Sequence, residues 1–228
     1  MNRTSFYLLF AVLLLAGCQT SPRFSVSGTI SHADGETLYL EHTQLTTTTI
    51  LDSCVLDGEG EFKLHAPSPE HPDFYRLRIG KRSLPLSVDS IEEIIVVSTR
   101  DSLPYTLSIQ GSEASLIMAQ LRATARTATR EELRKQAQEV IVSNPRSLAA
   151  YYAVFLKQGG EYIWNILDPA DRRMYQAVAT SFQTWMPNYE RTKVLCNQVK
   201  DVLQAERNIK NQQAMRDFID KAENSFLD

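Results

Sequence analysis

The chain has 228 residues, 24 Lys+Arg against 27 Asp+Glu, 43% hydrophobic residues and a formal net charge of −3. Without a basic stripe this balance argues against a nucleic-acid binder. The length suits one large domain or two small ones, and beyond the N-terminus no apolar run is long enough to span a bilayer.

The N-terminus reads as a bacterial lipoprotein signal peptide over residues 1–17. Arg3 gives a short positive start, and residues 6–16 are almost unbrokenly apolar. Leu15-Ala16-Gly17-Cys18 then matches a lipobox: small residues fit the signal peptidase and the Cys18 thiol accepts a diacylglycerol. The alternatives are an ordinary signal peptide with a chance cysteine or a short anchor helix. Cleavage before Cys18 would leave 211 residues with 23 basic and 27 acidic side chains. Gln19 stands where enteric bacteria place the Asp that retains lipoproteins in the inner membrane. The expected address is therefore the outer membrane, facing the periplasm, with the lipid on Cys18 as the membrane contact.

Residues 18–111 read as a β-sandwich-like domain. RFSVSGTIS and ETLYLEH alternate apolar and polar positions, and Thr46 to Thr49 suit a solvated strand or hairpin tip. TTILDSCVLD and GEFKLHA flank Asp57-Gly58-Glu59-Gly60, a hairpin candidate. PDFYRLRIG, SLPLSVD, EEIIVVST and PYTLSIQG continue the series. Short alternating strands at this spacing predict an antiparallel β-sandwich or open barrel.

Residues 112–228 read as a helical module, so the fold class is α+β. Ser112 caps a first helix, and Thr129-x-x-Glu132 is a capping box for a second, through Ile141. Asn144-Pro145 and Asp168-Pro169 each look like a cap followed by Pro at the first helical position, with Gly159-Gly160 ending the helix between them. Pro187 opens a last helix to about residue 222, with Val194, Leu195, Val199, Val202 and Leu203 on an apolar face. Residues 204–213 offer only Ala205 and Ile209 for burial, so this helix is expected to leave the body and act as a linker. The first unit carries net −6 and the second net +2, which suggests mutual attraction or simply different surface compositions.

No catalytic constellation stands out. His32, His42, His65 and His71 lack metal-ligand spacing, though His42 and His65 could meet across strands. Glu92 and Glu93 point to opposite faces of a strand, and Asp52-Ser53 has no His partner. With Cys18 lipidated, Cys54 and Cys196 remain, 142 positions apart and without a Cys-x-x-Cys; an oxidising periplasm would let them pair, but two buried free thiols are the expected state. Tyr151, Tyr152, Phe155, Tyr162, Trp164, Tyr175, Phe182 and Trp185 either form core or line a groove. No metal or cofactor is expected.

The ordered motifs carry a resemblance. Phe24-Ser25-Val26-Ser27-Gly28-Thr29-Ile30 follows the lipobox. A G-x-x-L-Y-L strand from Gly35, Leu51-Asp52-Ser53 and Gly60-Glu61-Phe62 come next. This resembles a β-domain of unknown function at the front of Gram-negative lipoproteins. There a helical segment follows with a Gly-Ser start and an Asn-Pro-x-Ser-x-Ala-Ala motif, here Gly111-Ser112 and Asn144-Pro145-Arg146-Ser147-Leu148-Ala149-Ala150. A thioredoxin-like (AhpC/TSA-type) thiol–disulfide oxidoreductase domain with W-C-x-x-C usually comes after. Here Phe226-Leu227-Asp228 stands about where that domain would begin.

The resemblance implies a non-catalytic envelope lipoprotein: an interaction or positioning unit for redox machinery, with a thioredoxin-fold protein as partner. The competing reading is a peptide- or glycan-binding lipoprotein using a sheet edge or the seam between the units. A third makes the chain an enzyme of its own.

Overall fold

The computed structural model describes residues 22–225. The signal peptide, Cys18 and Phe226-Leu227-Asp228 lie outside them. The architecture is α+β: an open sandwich of two four-stranded sheets, followed by five helices.

The strands are β1 (Arg23–Ser31), β2 (Thr37–Thr43), β3 (Thr48–Val55), β4 (Glu61–Pro67), β5 (Asp73–Ile79), β6 (Arg82–Val88), β7 (Glu93–Thr99) and β8 (Ile109–Gln110). One sheet has the order β4-β1-β7-β8 and the other β3-β2-β5-β6. All pairings are antiparallel except β1 with β7, where Val26 lies beside Ile94 and Gly28 beside Val96. The period-2 apolar positions meet between the sheets: Phe24, Val26, Leu38, Leu40, Leu64, Leu77, Leu86 and Ile94 are each at most 1% exposed. Each such side chain contributes about 1.5–3 kcal/mol through burial.

Two strand expectations change. Asp57 to Gly60 is a corner between sheets rather than a hairpin, because β3 pairs with β2 and β4 with β1. Asp57 Oδ1 accepts the Glu59 and Gly60 N–H groups at 3.1 and 3.0 Å, which tightens the corner. Gly60, at φ +72°, lets the chain turn against β1, where a Cβ would lie 2.2 Å from Ile30 O. PYTLSIQG is mostly not strand: Leu103–Tyr105 form a 3-10 turn led by Pro104, and only Ile109–Gln110 pair with β7.

The helices are α1 (Glu113–Thr127), α2 (Arg130–Ser143), α3 (Leu148–Val154), α4 (Pro169–Trp185) and α5 (Glu190–Ser225), with a small hairpin of β9 (Lys157–Gln158) and β10 (Glu161–Tyr162) after α3. Ser112, the Thr129–Glu132 box and Asp168 cap α1, α2 and α4 as expected. Asn144 instead ends α2, its N–H bound to Val140 O, and Ser147 caps α3 by accepting the Ala150 N–H at 3.1 Å. Gly159 and Gly160 turn the β9–β10 hairpin rather than end a helix, since α3 stops at Val154. The last helix starts at Glu190, three residues after Pro187, and runs through Ser225.

Helix α1 belongs to both cores. Leu116 and Ala119 pack against the sandwich, while Met118 and Leu121 join the helical core around Leu133, Ile141, Val154 and Phe182. It thereby covers the open side between β6 and β8. No helix among the described residues is long and apolar enough to cross a membrane.

Candidate functional site at the seam between sandwich and helices

Strand β6 ends its sheet, so its outer N–H and C=O groups need partners. Helix α1 supplies them. The Ser87 N–H donates to Ser115 Oγ at 2.9 Å and the Ser112 hydroxyl donates to Ser87 O at 2.8 Å. The cap that starts α1 therefore also closes the sheet edge.

A second junction forms around Asp73, the first residue of β5. Its Oδ1 accepts the Tyr189 hydroxyl at 2.6 Å and the Phe74 N–H at 2.8 Å, and its Oδ2 lies 2.6 Å from His42 Nε2. Burial on its own would raise this carboxyl. The bonds from His42, Tyr189 and the Phe74 N–H outweigh burial and hold it below the usual range. Burial, followed by donation to Asp73, pushes the Tyr189 phenol well above its ordinary value. Burial and the Asp73 charge push Tyr75 up to about 12. His71 packs its ring on Tyr189, centroids 4.8 Å apart, and Arg191 donates to Thr43 O at 2.5 Å. Two residues at the root of α5 thus clasp the sheet.

His42, Asp73 and Tyr189 have the look of a proton relay. The hydrogen bond of the His42 side chain among the described residues goes to Asp73. Through this one carboxylate the arrangement ties β2, β5 and the root of α5 together.

Beside it lies a cleft of about 1040 Å³ between the β5–β6 end of the sandwich and helices α1 to α4. Its charged lining is mainly acidic, with Glu70, Asp89, Glu92 and Glu113. Burial, with a smaller push from Asp89, raises the Glu92 carboxyl, against the pull of the Asp89 N–H bond at 3.0 Å. Arg146 stands opposite, stacked 4.3 Å from the Trp185 ring centroid.

The sequence-predicted positions fall unevenly around this seam. Ser112, Asn144, Arg146 and Ser147, from the two helical motifs, line the cleft with Glu92 and Trp185. Glu93 is exposed on β7, away from Glu92. His42 and His65 sit in different sheets, so the expected meeting does not occur. Asp52 accepts the backbone N–H of His65 at 2.8 Å. Of the aromatic set, Tyr151, Trp164, Tyr175 and Phe182 are core, Tyr152 and Phe155 are half-buried, and Tyr162 and Trp185 are exposed. Cys54 and Cys196 are free but half-buried rather than buried. Burial raises both thiols, with Asp52 adding to the shift at Cys54. Asp73, Tyr189 and Arg191 had no sequence signal: none sits in a motif, and the contact between Asp73 and Tyr189 spans 116 positions. The charge asymmetry plays no direct part, because among the described residues no ion pair joins the two units.

Residues 24–115 match the family model of a domain of unknown function, DUF4369. The DUF4369 match covers the sandwich and stops at Ser115, so it includes both serines that close the β6 edge. No curated protein matches the chain. Among solved structures, a 9R-lipoxygenase from Cyanothece is similar at 10% identity, over 63% of this chain and 29% of that one. The TM-score is 0.24, and the chain spans under a third of that lipoxygenase's length.

The second surface of note is α5, with 36 residues and about 54 Å of length. Leu195 and Val199 are buried against the body, and Val194 and Leu203 lie at the margin, 37% and 40% exposed. Arg172 donates to Glu206 at 2.6 Å, the last side-chain bond to the body among the described residues. Residues 207–220 are all exposed, about 20 Å of free helix. Met215, Phe218 and Ile219 form an apolar patch there, 61%, 69% and 46% exposed. With about 100° per residue, this patch faces the side opposite Leu195, Val199 and Val202.

Proposed function

We propose that the chain is a non-catalytic, lipid-anchored envelope protein that positions a thioredoxin-fold redox partner through the free end of α5. The observation that carries this reading is the change of face along α5: its proximal apolar side is used by the body, and its distal side is left for another protein. The partner class rests on the resemblance to front modules of thiol–disulfide oxidoreductases. The raised thiols of Cys54 and Cys196 support a role without chemistry, because the thiolate is the reactive form. Acylation at Cys18 would hold β1, which starts at Arg23, within about 17 Å of the membrane surface.

The test is a photo-crosslinking residue at position 218 of the full chain in its own envelope. An adduct with a Cys-x-x-Cys thioredoxin-fold protein is expected. Adducts confined to other protein classes overturn the partner assignment, and insulin reduction that disappears in Cys54→Ser or Cys196→Ser overturns the non-catalytic reading.

The seam cleft favours a second reading, binding of a peptide or glycan, since clefts between packed units are common ligand sites. Trp185 on its wall reports occupancy: its emission should shift on titration with short peptides or chito-oligosaccharides, and the shift should disappear in Arg146→Ala.

A further inference from the structure

A smaller cleft of about 400 Å³ lies away from the seam, between the 3-10 turn, the C-terminal half of α1 and the β9–β10 hairpin. Its charged lining is wholly cationic: Arg122, Arg126 and Lys157. Tyr105, Tyr152 and Phe155 supply its rings. Among the described residues none of the three cations forms an ion pair, whereas Arg76, Arg78, Arg100, Arg134 and Arg172 all do.

The cations are also held in place. Arg126 lies 3.9 Å from the Tyr105 ring centroid and Arg122 lies 5.9 Å from it. Lys157 lies 4.4 Å from the Tyr162 centroid. Stacking uses the flat face of a guanidinium and leaves its N–H edge free to donate. One ordinary role for cations at a helix C-terminus is to satisfy its last carbonyls. Here Gln158 does that work: its Nε2 donates to Ala125 O at 3.2 Å and Ala128 O at 2.9 Å. Arg122, which also bonds the Tyr152 hydroxyl, and Arg126, one turn further along α1, therefore present their remaining donors to one open space beside apolar rings.

We infer that this cleft binds a phosphomonoester carried on a ring or acyl scaffold. Three cations suit a dianion better than a single carboxylate, and the planar N–H edges suit its oxygens. Tyr105, Tyr152 and Phe155 take the uncharged part of the ligand. A soluble sugar phosphate and a lipid phosphate headgroup share this chemistry, and the site is independent of both the α5 patch and the seam cleft.

The test uses the unlipidated chain of residues 19–228, which contains every described element. Glucose 6-phosphate, with glucose as the control, is titrated by calorimetry at low salt. Co-sedimentation is measured with phosphatidylcholine vesicles with and without phosphatidic acid. Binding of glucose 6-phosphate but not glucose, or of vesicles only when they contain phosphatidic acid, supports the site and tells the soluble source from the lipid one. Arg122→Gln and Arg126→Gln should each weaken binding about tenfold, and Lys157→Gln less, because lysine acts as a point charge. All three side chains are at least partly exposed, so the melting temperature should hold. Tyr105→Ala, which removes the ring under Arg126 and no charge, should weaken binding severalfold. No binding of either phosphate probe, or binding unchanged in the triple glutamine variant, overturns the inference.

Discussion

Tyr189→Phe removes one hydroxyl from the Asp73 junction and leaves the ring in place against His71. The lost bond, 2.6 Å long and buried, goes to a carboxylate. Hydrogen bonds to charged groups are worth about 1.5–3 kcal/mol. Asp73 keeps the His42 contact and the Phe74 N–H, so the remaining charge is not orphaned and the lower end of that range applies. A loss of about 1.5–2 kcal/mol lowers the melting temperature of a chain this size by about 3–8 °C. The pH dependence has a definite sign. The folded-state carboxyl sits below its unfolded value, so its contribution is complete above the unfolded pKa of about 4 and fades as pH falls through the lower folded value. The gap between Tyr189→Phe and the parent should therefore be constant from pH 5 to 7 and narrow in acid. Thermal unfolding followed by circular dichroism measures both. A variant melting within about 1 °C of the parent at pH 7, against this expected shift, would show that the Tyr189 hydroxyl adds nothing to stability.

Three other expectations are open to measurement. Gly28→Ala places a Cβ 1.9 Å from Val96 O at φ +141°, so it should cost about 3 kcal/mol or more and yield little folded protein; a normal melt would mean that β1 and β7 are not in parallel contact. Cys18→Ser should abolish metabolic palmitate labelling, and undiminished labelling would remove Cys18 as the acyl acceptor. Hydrogen exchange should be fast after residue 207 in the isolated chain and slow in β1, β2 and β5, because a helix without a packed face rests on weak intrinsic propensity. Equal protection would make the distal helix integral to the fold.

The parts of this fold that were legible in the sequence are those with a local signature. Period-2 alternation exposed β1, β2, β5, β6 and β7, because one face of each is buried between two sheets. Ser112, Thr129 with Glu132, and Asp168 announced three helix starts, because a cap is a bond between near neighbours. The misreadings have a common cause. Asp57 to Gly60 has the residues of a hairpin turn, yet partner choice is decided by Leu56, 1% exposed, turning into the core and by the β1–β7 pair. Asn144-Pro145 has the residues of a helix start, but Val140 already claims the Asn144 N–H. Asp73, Tyr189, Arg122 and Lys157 were invisible for a related reason: their meaning lies in contacts across the fold, and nothing in their own neighbourhoods marks them.

Helix α5 joins these observations. Its root is pinned by Tyr189 to Asp73 and by Arg191 to Thr43, so its direction is set by the β5 and β2 ends of the sandwich. Its next third is packed through Leu195 and Val199 on the helical core, and Arg172 marks the end of that contact at Glu206. Beyond it Ile209 stays on the face of Leu195, while Met215, Phe218 and Ile219 lie on the opposite side. A helix meant only to complete the core would keep one face throughout, and a flexible linker would not need a doubly bonded root. Under the proposed function, a helix rooted in this way would present its outward face to a partner at a set distance from the sandwich. On that proposal the junction at Asp73 would also set where the partner stands. Loosening it by Tyr189→Phe should weaken crosslinking from position 218 even though residue 218 is untouched, and undiminished crosslinking would confine the junction to a structural role.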